Sequence, residues 1–368
     1  MKKLGWVLRV LLSAALIAFL VLAPGYLQRA LGRNPYHELL SGEKEPWSGV
    51  ITIWHIVGFK TYQGSITAYL ESCAASYEKA HPGVYVEVLG MDLTGMEERL
   101  ARGETPHVWS FPSGALYAQR LSPLELGQLP GFVGNLAPAV EEGNTYAVPY
   151  LYSGYFLLGN TIVTQDKGLT WPHNQEEITG QLLQQALDMA GGKGRAQLCA
   201  SELFCAMWEL TGVSAPEGDF NAGQVALRIG DARTCGDLAR KQESGGFTFD
   251  ALPLPNFTDQ VQYIGVDAVA SGQAANHAQN LIRLLLEPKA QGKTAALGAM
   301  PAVQGVEASY TIGTLQALAQ AYGQPQAPDP FLWQRHKQAL LEEAARAMSG
   351  DTQALKAFQE RLEQVMGG

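Results

Sequence analysis

Two hydrophobic periods alternate from about residue 50 onward. Val50–Ile56 (VITIWHI) is a near-continuous apolar block of strand length and predicts a buried strand. Over Ser65–Ala80 the period lengthens. Ile66, Tyr69, Leu70, Cys73, Ala74 and Tyr77 fall at i, i+3, i+4, i+7, i+8 and i+11, one apolar stripe on a helix. His81-Pro82-Gly83 ends that helix, because proline cannot continue it and glycine permits the turn. Val84–Met91 (VYVEVLGM) reads as a second strand, so the three segments form a βαβ unit with a right-handed crossover. A short helix of mixed charge follows, then a third strand over Pro106–Phe111.

Further on, Thr145–Gly159 (TYAVPYLYSGYFLLG) is rich in strand formers. Gln175–Ala190 and Gln197–Gly212 predict helices. Val225–Gly230, Phe249–Pro255 and Tyr263–Ala270 predict strands, and Asn276–Leu286 a helix. Gln320–Pro330 is loop-like. Two amphipathic helices close the chain; the last carries a stripe of Leu355, Phe358, Leu362, Val365 and Met366.

The N-terminus has a different pattern. Lys2, Lys3 and Arg9 precede the almost wholly apolar Val10–Ala23, the layout of an export signal. No cysteine precedes Cys73, so there is no lipid-attachment motif, and Pro24 after Ala23 is a poor cleavage context. Trp6 to Tyr26 covers about 21 residues, roughly 30 Å as helix, enough to span a bilayer. Residues 1–31 are therefore expected to be an uncleaved membrane anchor with its N-terminus inside, a cleaved signal peptide being the alternative. Residues 32–49, polar and broken by prolines, read as a tether. Either way the remainder lies outside the cytoplasm.

The chain has 368 residues, 46% of them hydrophobic and 17% charged, which suits two domains with packed cores. Net charge is −9 with no basic run, so nucleic acid is not an expected partner. Of the four cysteines, Cys199 and Cys205 are too far apart on one helix to bond, while Cys199 with Cys235 is open alongside simple buried thiols. No spacing suits zinc, a phosphate loop or a nucleophile elbow, and no cofactor is called for.

Six stretches in order resemble one family. These are HPGVYVEV, PHVWSFPSG (with His107 where an acid is customary), YAVPYLYSGYFLLGNT, NAGQVALRIGDA, FDALPLP and the segment from YIGVDAVASG to GAMPA. The chain is similar to the extracellular solute-binding proteins of ABC importers, the group of the maltose- and other sugar-binding proteins. The resemblance implies an α/β, two-lobed periplasmic-binding-protein fold, type II-like, with a hinge. It places 50–149 plus 261–303 in one lobe and 150–258 plus 305–368 in the other, with crossings near 149–151 and 258–262. It implies capture of a small organic solute, a carbohydrate first, for ABC permease subunits, by a monomeric non-enzyme. A membrane-tethered sensor and an enzyme on the same fold are the alternatives.

Candidate ligand contacts lie at strand ends, where open α/β sheets bind ligands. A sugar needs aromatic plates and hydrogen-bonding groups. Trp54, His55 and Phe59 close the first strand, and Ser110 and Phe111 the third. Tyr150 and Tyr152 share a face by alternation. Trp208, Arg228, Asp231, Tyr263 and Asp267 complete the expected set.

Overall fold

The computed structural model describes residues 47–166, 220–223, 226–245, 248–253, 257–310, 325–348 and 350–366, together with single positions at 19, 168, 171, 313, 316 and 319. The first strand, β1 (Gly49–Ile56), leads through a loop to α1 (Ile66–Ala80). Ser65 caps α1 through its Oγ, which accepts from the Ala68 N–H, and the six stripe residues are all buried. Gly83 takes the left-handed turn (φ 95°) that lets β2 (Val84–Met91) run back parallel to β1. Then come α2 (Leu93–Ala101), β3 (Val108–Pro112), the two-residue β4 (Leu121–Ser122) and β5 (Ala139–Glu141). The long β6 (Asn144–Tyr152) follows.

The chain then changes sheet. β7 (Tyr155–Asn160) is the middle strand of a second sheet, followed by α3 (Thr161–Asp166). Its partners are β8 (Leu227–Asp231) and β9 (Phe249–Pro253), joined by α4 (Ala232–Glu243). The chain returns to the first sheet as β10 (Val261–Asp267), then α5 (Gly272–Leu286), α6 (Pro288–Gln291) and β11 (Met300–Pro301). The first sheet has the order β11-β6-β10-β3-β1-β2, with β4 and β5 off that path. The closing helices are α7 (Pro330–Met348) and α8 (Thr352–Val365).

Two hydrophobic cores result. The larger fills the first sheet and its helices and continues without a break into the second sheet through Phe156, Leu158 and Phe249 and into α4 through Ala232, Cys235, Leu238 and Ala239. The smaller joins Tyr155, Leu157 and Ile229 of the second sheet to Trp333, Leu340, Phe358 and Val365 of the closing helices. The two crossing segments are bonded to each other: Ser153 N–H donates to the Gln260 carbonyl (2.8 Å), and Thr258 Oγ1 to the Ser153 carbonyl (2.7 Å).

Several expectations are revised. Thr145–Gly159 is two strands, because Ser153 and Gly154 carry the chain between sheets. The first crossing thus lies at 153–154 instead of 149–151; Tyr152 still pairs with Val261 and Met300 in the first sheet. Among the described residues Cys73 and Cys235 are free and buried; Cys199 and Cys205 lie outside the described residues. The anchor apart from Phe19, the tether before residue 47, both helices predicted over 175–212 and Trp208 lie outside the described residues. Among the described residues no helix is long and apolar enough to cross a membrane.

Candidate functional site

A cavity of about 370 Å³ opens beyond the C-terminal end of β1. One wall is the β1–α1 connection: His55, Val57, Phe59, Lys60, Thr61 and Tyr62, continuing to Thr67 at the start of α1. The other wall is α4, through Arg233, Asp237 and Arg240. Spacings of four and three put these side chains on one helix face. The walls therefore belong to different sheets and different parts of the chain. They touch at one side, where the Tyr62 ring lies against Gly236. A Cβ built at Gly236 would meet that ring at 2.3 Å, so only glycine admits the approach. Arg240 covers the same ring, its Cζ 5.0 Å from the centroid, and donates to Tyr62 Oη from Nε (3.1 Å) and Nη2 (2.9 Å).

Beneath the cavity is a buried polar layer. His55 and Ser110 pair in register across β1 and β3, and His55 Nδ1 lies 2.9 Å from Ser110 Oγ. Ser110 Oγ lies 2.7 Å from Tyr150 Oη. Gln262 Nε2 donates to the Ile56 carbonyl (2.9 Å) and to Ser110 Oγ (3.2 Å), and sits 3.3 Å from His55 Nδ1. All four side chains are at most 1% exposed. Burial pushes His55 down to about 4, so its ring is neutral near pH 7. Burial drives the Tyr150 phenol well up, partly offset by its bond to Ser110. A chain of donations from Tyr150 to Ser110 to a neutral His55 satisfies all three groups and leaves Nε2 as the ring's donor. Gln262 Oε1 is buried without a hydrogen-bond partner among the described residues, as are Gln260 Oε1 and Trp333 Nε1 near the same crossing.

Of the expected contacts, His55 and Phe59 line this cavity. Ser110 and Tyr150 lie in the layer behind it. The others are placed differently. Trp54 is 2% exposed and meets Trp109 edge-on, with Arg99 over its ring, because β1 is flanked on both sides and its alternate face is also covered. Phe111 and Tyr263 are fully packed and face each other as a stacked pair. Asp267 is at the wrong end: β10 runs antiparallel to β3, so five residues beyond Gln262 it is roughly 16 Å from the cavity side. There it accepts from Trp109 Nε1 (2.5 Å) and the Val269 N–H (2.8 Å).

An irregularity between β6 and β10 leaves Tyr150 unpaired in the ladder and breaks the expected alternation. Tyr152 lines a separate cavity of about 360 Å³ with Met300, Val303 and Tyr310, so the two tyrosines do not form one wall. Asp231 caps α4, its Oδ1 accepting from Thr234 N–H and Oγ1 (each 2.8 Å). Arg228 is on β8, outside the lining. His107, the residue at the customary acid's position, accepts from the Thr52 N–H at Nδ1 (3.1 Å) and helps hold β3 to β1.

Sequence reasoning missed Lys60, Tyr62, Asp237, Arg240 and Gln262. The signal for the α4 trio was its i, i+4, i+7 spacing after the Gly230–Asp231 turn. Tyr62 and Gln262 carried none, since their roles depend on the approach of distant segments.

No protein-family model and no curated protein matches the sequence. Solved structures do match. The cyclic alpha-maltosyl-1,6-maltose binding protein from Arthrobacter globiformis superposes with a TM-score of 0.62 at 15% identity, over 87% of this chain and 99% of that one. The sugar-binding protein MalE from Xanthomonas citri gives 0.58 at 17%, over 86% and 97%. A chitin oligosaccharide binding protein gives 0.58 at 18%, over 87% and 100%. The chain has the two-lobed α/β fold of these binding proteins.

Proposed function

We propose that this chain is the extracytoplasmic substrate-binding component of an ABC importer and holds a small saccharide between its lobes. The supporting observation is the cavity of about 370 Å³ walled by β1–α1 on one side and α4 on the other. That volume lies within the usual range for small-molecule sites. The fold is shared with proteins described as binders of maltosyl-maltose, maltodextrin and chitin oligosaccharides, which also supports the reading. The lobes proposed are 50–152 with 261–303, and 155–258 with 305–368, the first crossing lying at 153–154. The protein acts as a monomer, binds without catalysis, is held at the membrane by its N-terminal segment, and passes its solute to permease subunits.

The test is a thermal melt of the full chain in mild detergent against mono- and oligosaccharides, amino acids and polyamines. A ligand that binds only the folded state adds about 2.7 kcal/mol at a hundred times its Kd. A saturable rise in Tm with a saccharide is the expected result. A rise with amino acids or polyamines and with no saccharide would discard the sugar assignment.

A further inference from the structure

We infer that the solute is an anionic saccharide, one carrying a carboxylate or phosphate. This rests on the proposed function and names the substrate class of that same site.

The cavity lining holds three cations, Lys60, Arg233 and Arg240, and one acid, Asp237. The whole chain is at −9, so this surplus of positive charge runs against the background. The cations sit on both walls: Lys60 on the β1–α1 connection, the two arginines on α4. Asp237 does not neutralise them. Its Oδ2 is 3.8 Å from Arg233 Nε, a loose exposed pair along the helix. Asp231, at the start of α4, is taken by Thr234 at the helix cap, and Glu243, at its end, acts on Arg240 from outside the lining. Arg240 spends two of its five N–H donors on Tyr62 and has three more.

Lys60, Arg233 and Arg240 are exposed around the cavity, and a neutral sugar seated between the walls would cover part of each of three cations against one carboxylate. Burying unpaired charge is costly, and a neutral hydroxyl supplies no compensating charge. A carboxylate or phosphate on the guest supplies it, and accepts from guanidinium forks in the geometry arginine favours. Neutral sugars also donate many hydroxyl protons, whereas the charged groups here are mostly donors. The same field would draw an anion in, an effect that salt screens.

Matched pairs decide the point. The full chain in mild detergent is titrated calorimetrically with galacturonate against galactose, and glucose 6-phosphate against glucose, at low salt and at about 0.5 M salt. The expected result is tighter binding of the acidic member of at least one pair, by about tenfold, with the advantage shrinking in high salt. Whichever pair shows it identifies the anion. Lys60→Gln and Arg233→Gln should each weaken the acidic member more than the neutral one, with the sugar-free Tm checking that the variants fold. Equal or tighter binding of the neutral members overturns the inference and leaves the saccharide reading in place. An acidic preference untouched by both substitutions also overturns it, since the charge would then be read elsewhere. Failure of every saccharide, in these titrations and in the melt, removes both.

Discussion

His55 stays neutral in the folded chain because ionising it would strand a charge in the polar layer behind the cleft. Its folded value is about 4 against an ordinary 6.5. Between those values the unfolded chain takes up a proton that the folded chain refuses, so stability falls as pH drops from 6.5 to 4 and this contribution is flat below. The difference is worth roughly 3 kcal/mol across the window. Urea melts of the protein and of His55→Asn at pH 4, 5, 6 and 7 should show a shallower acid slope in the variant; equal slopes would remove His55 from the account. Ser110 is the link in the same layer. Ser110→Ala leaves His55 Nδ1 and Tyr150 Oη each short of a partner, and should cost about 1–3 kcal/mol in the same melts at pH 7. That Ser110 and His55 belong together was half legible: both were singled out at strand ends, but the pairing needs the parallel register of β1 and β3. Trp54 shows the limit of residue-level reading. An aromatic at a strand end serves a sugar or a core equally well, and here Trp109 and Arg99 enclose it.

Helix α4 is the element on which the cleft depends. It presents Arg233, Asp237 and Arg240 to the cavity and brings Gly236 against Tyr62. Mid-helix glycine costs roughly 1 kcal/mol relative to good helix formers, so its presence here is explained by the close approach of the ring. Gly236→Leu should restore helix propensity while pushing Tyr62 off the helix. The expected outcome is unchanged or slightly raised chemical stability together with at least about tenfold weaker solute binding. Loss of stability with intact binding would mean that the Tyr62 contact supports folding and not closure. The helices were the most legible elements, as α1 shows: its buried residues are those of the sequence stripe, and its start is set by Ser65. The strands were less so. The Ser153-Gly154 dipeptide does interrupt the run of strand formers, but two turn residues do not distinguish a hairpin from a change of sheet.

At the scale of the whole molecule, the order of strands and helices pointed to two lobes, but their contact surface was not legible. Lys60 and Arg240 are 180 residues apart in sequence, and no local pattern relates them. What relates them is a pair of crossings, bonded to each other through Ser153, Thr258 and Gln260, which would be the hinge of the proposed lobes. The described arrangement has the walls in contact where Tyr62 packs on Gly236 and the larger core, with one exposed cation–aromatic contact and two hydrogen bonds from Arg240 at the rim. The Arg240 part of this contact is weak in water, of the order of 1 kcal/mol, and the rest is the cover of a single tyrosine ring. The sugar-free chain should therefore populate open and closed forms, and a solute that touches both walls should select the closed one. Small-angle scattering of the full chain should show a larger mean radius of gyration without solute than at saturation, with the saturated curve fitting the closed arrangement. A Tyr62→Ala variant should start more open and need more solute to reach the same end point. If scattering with and without a binding saccharide were identical in both proteins, the lobes would not move on these crossings, and the cavity would have to be entered through a path other than the Tyr62 side.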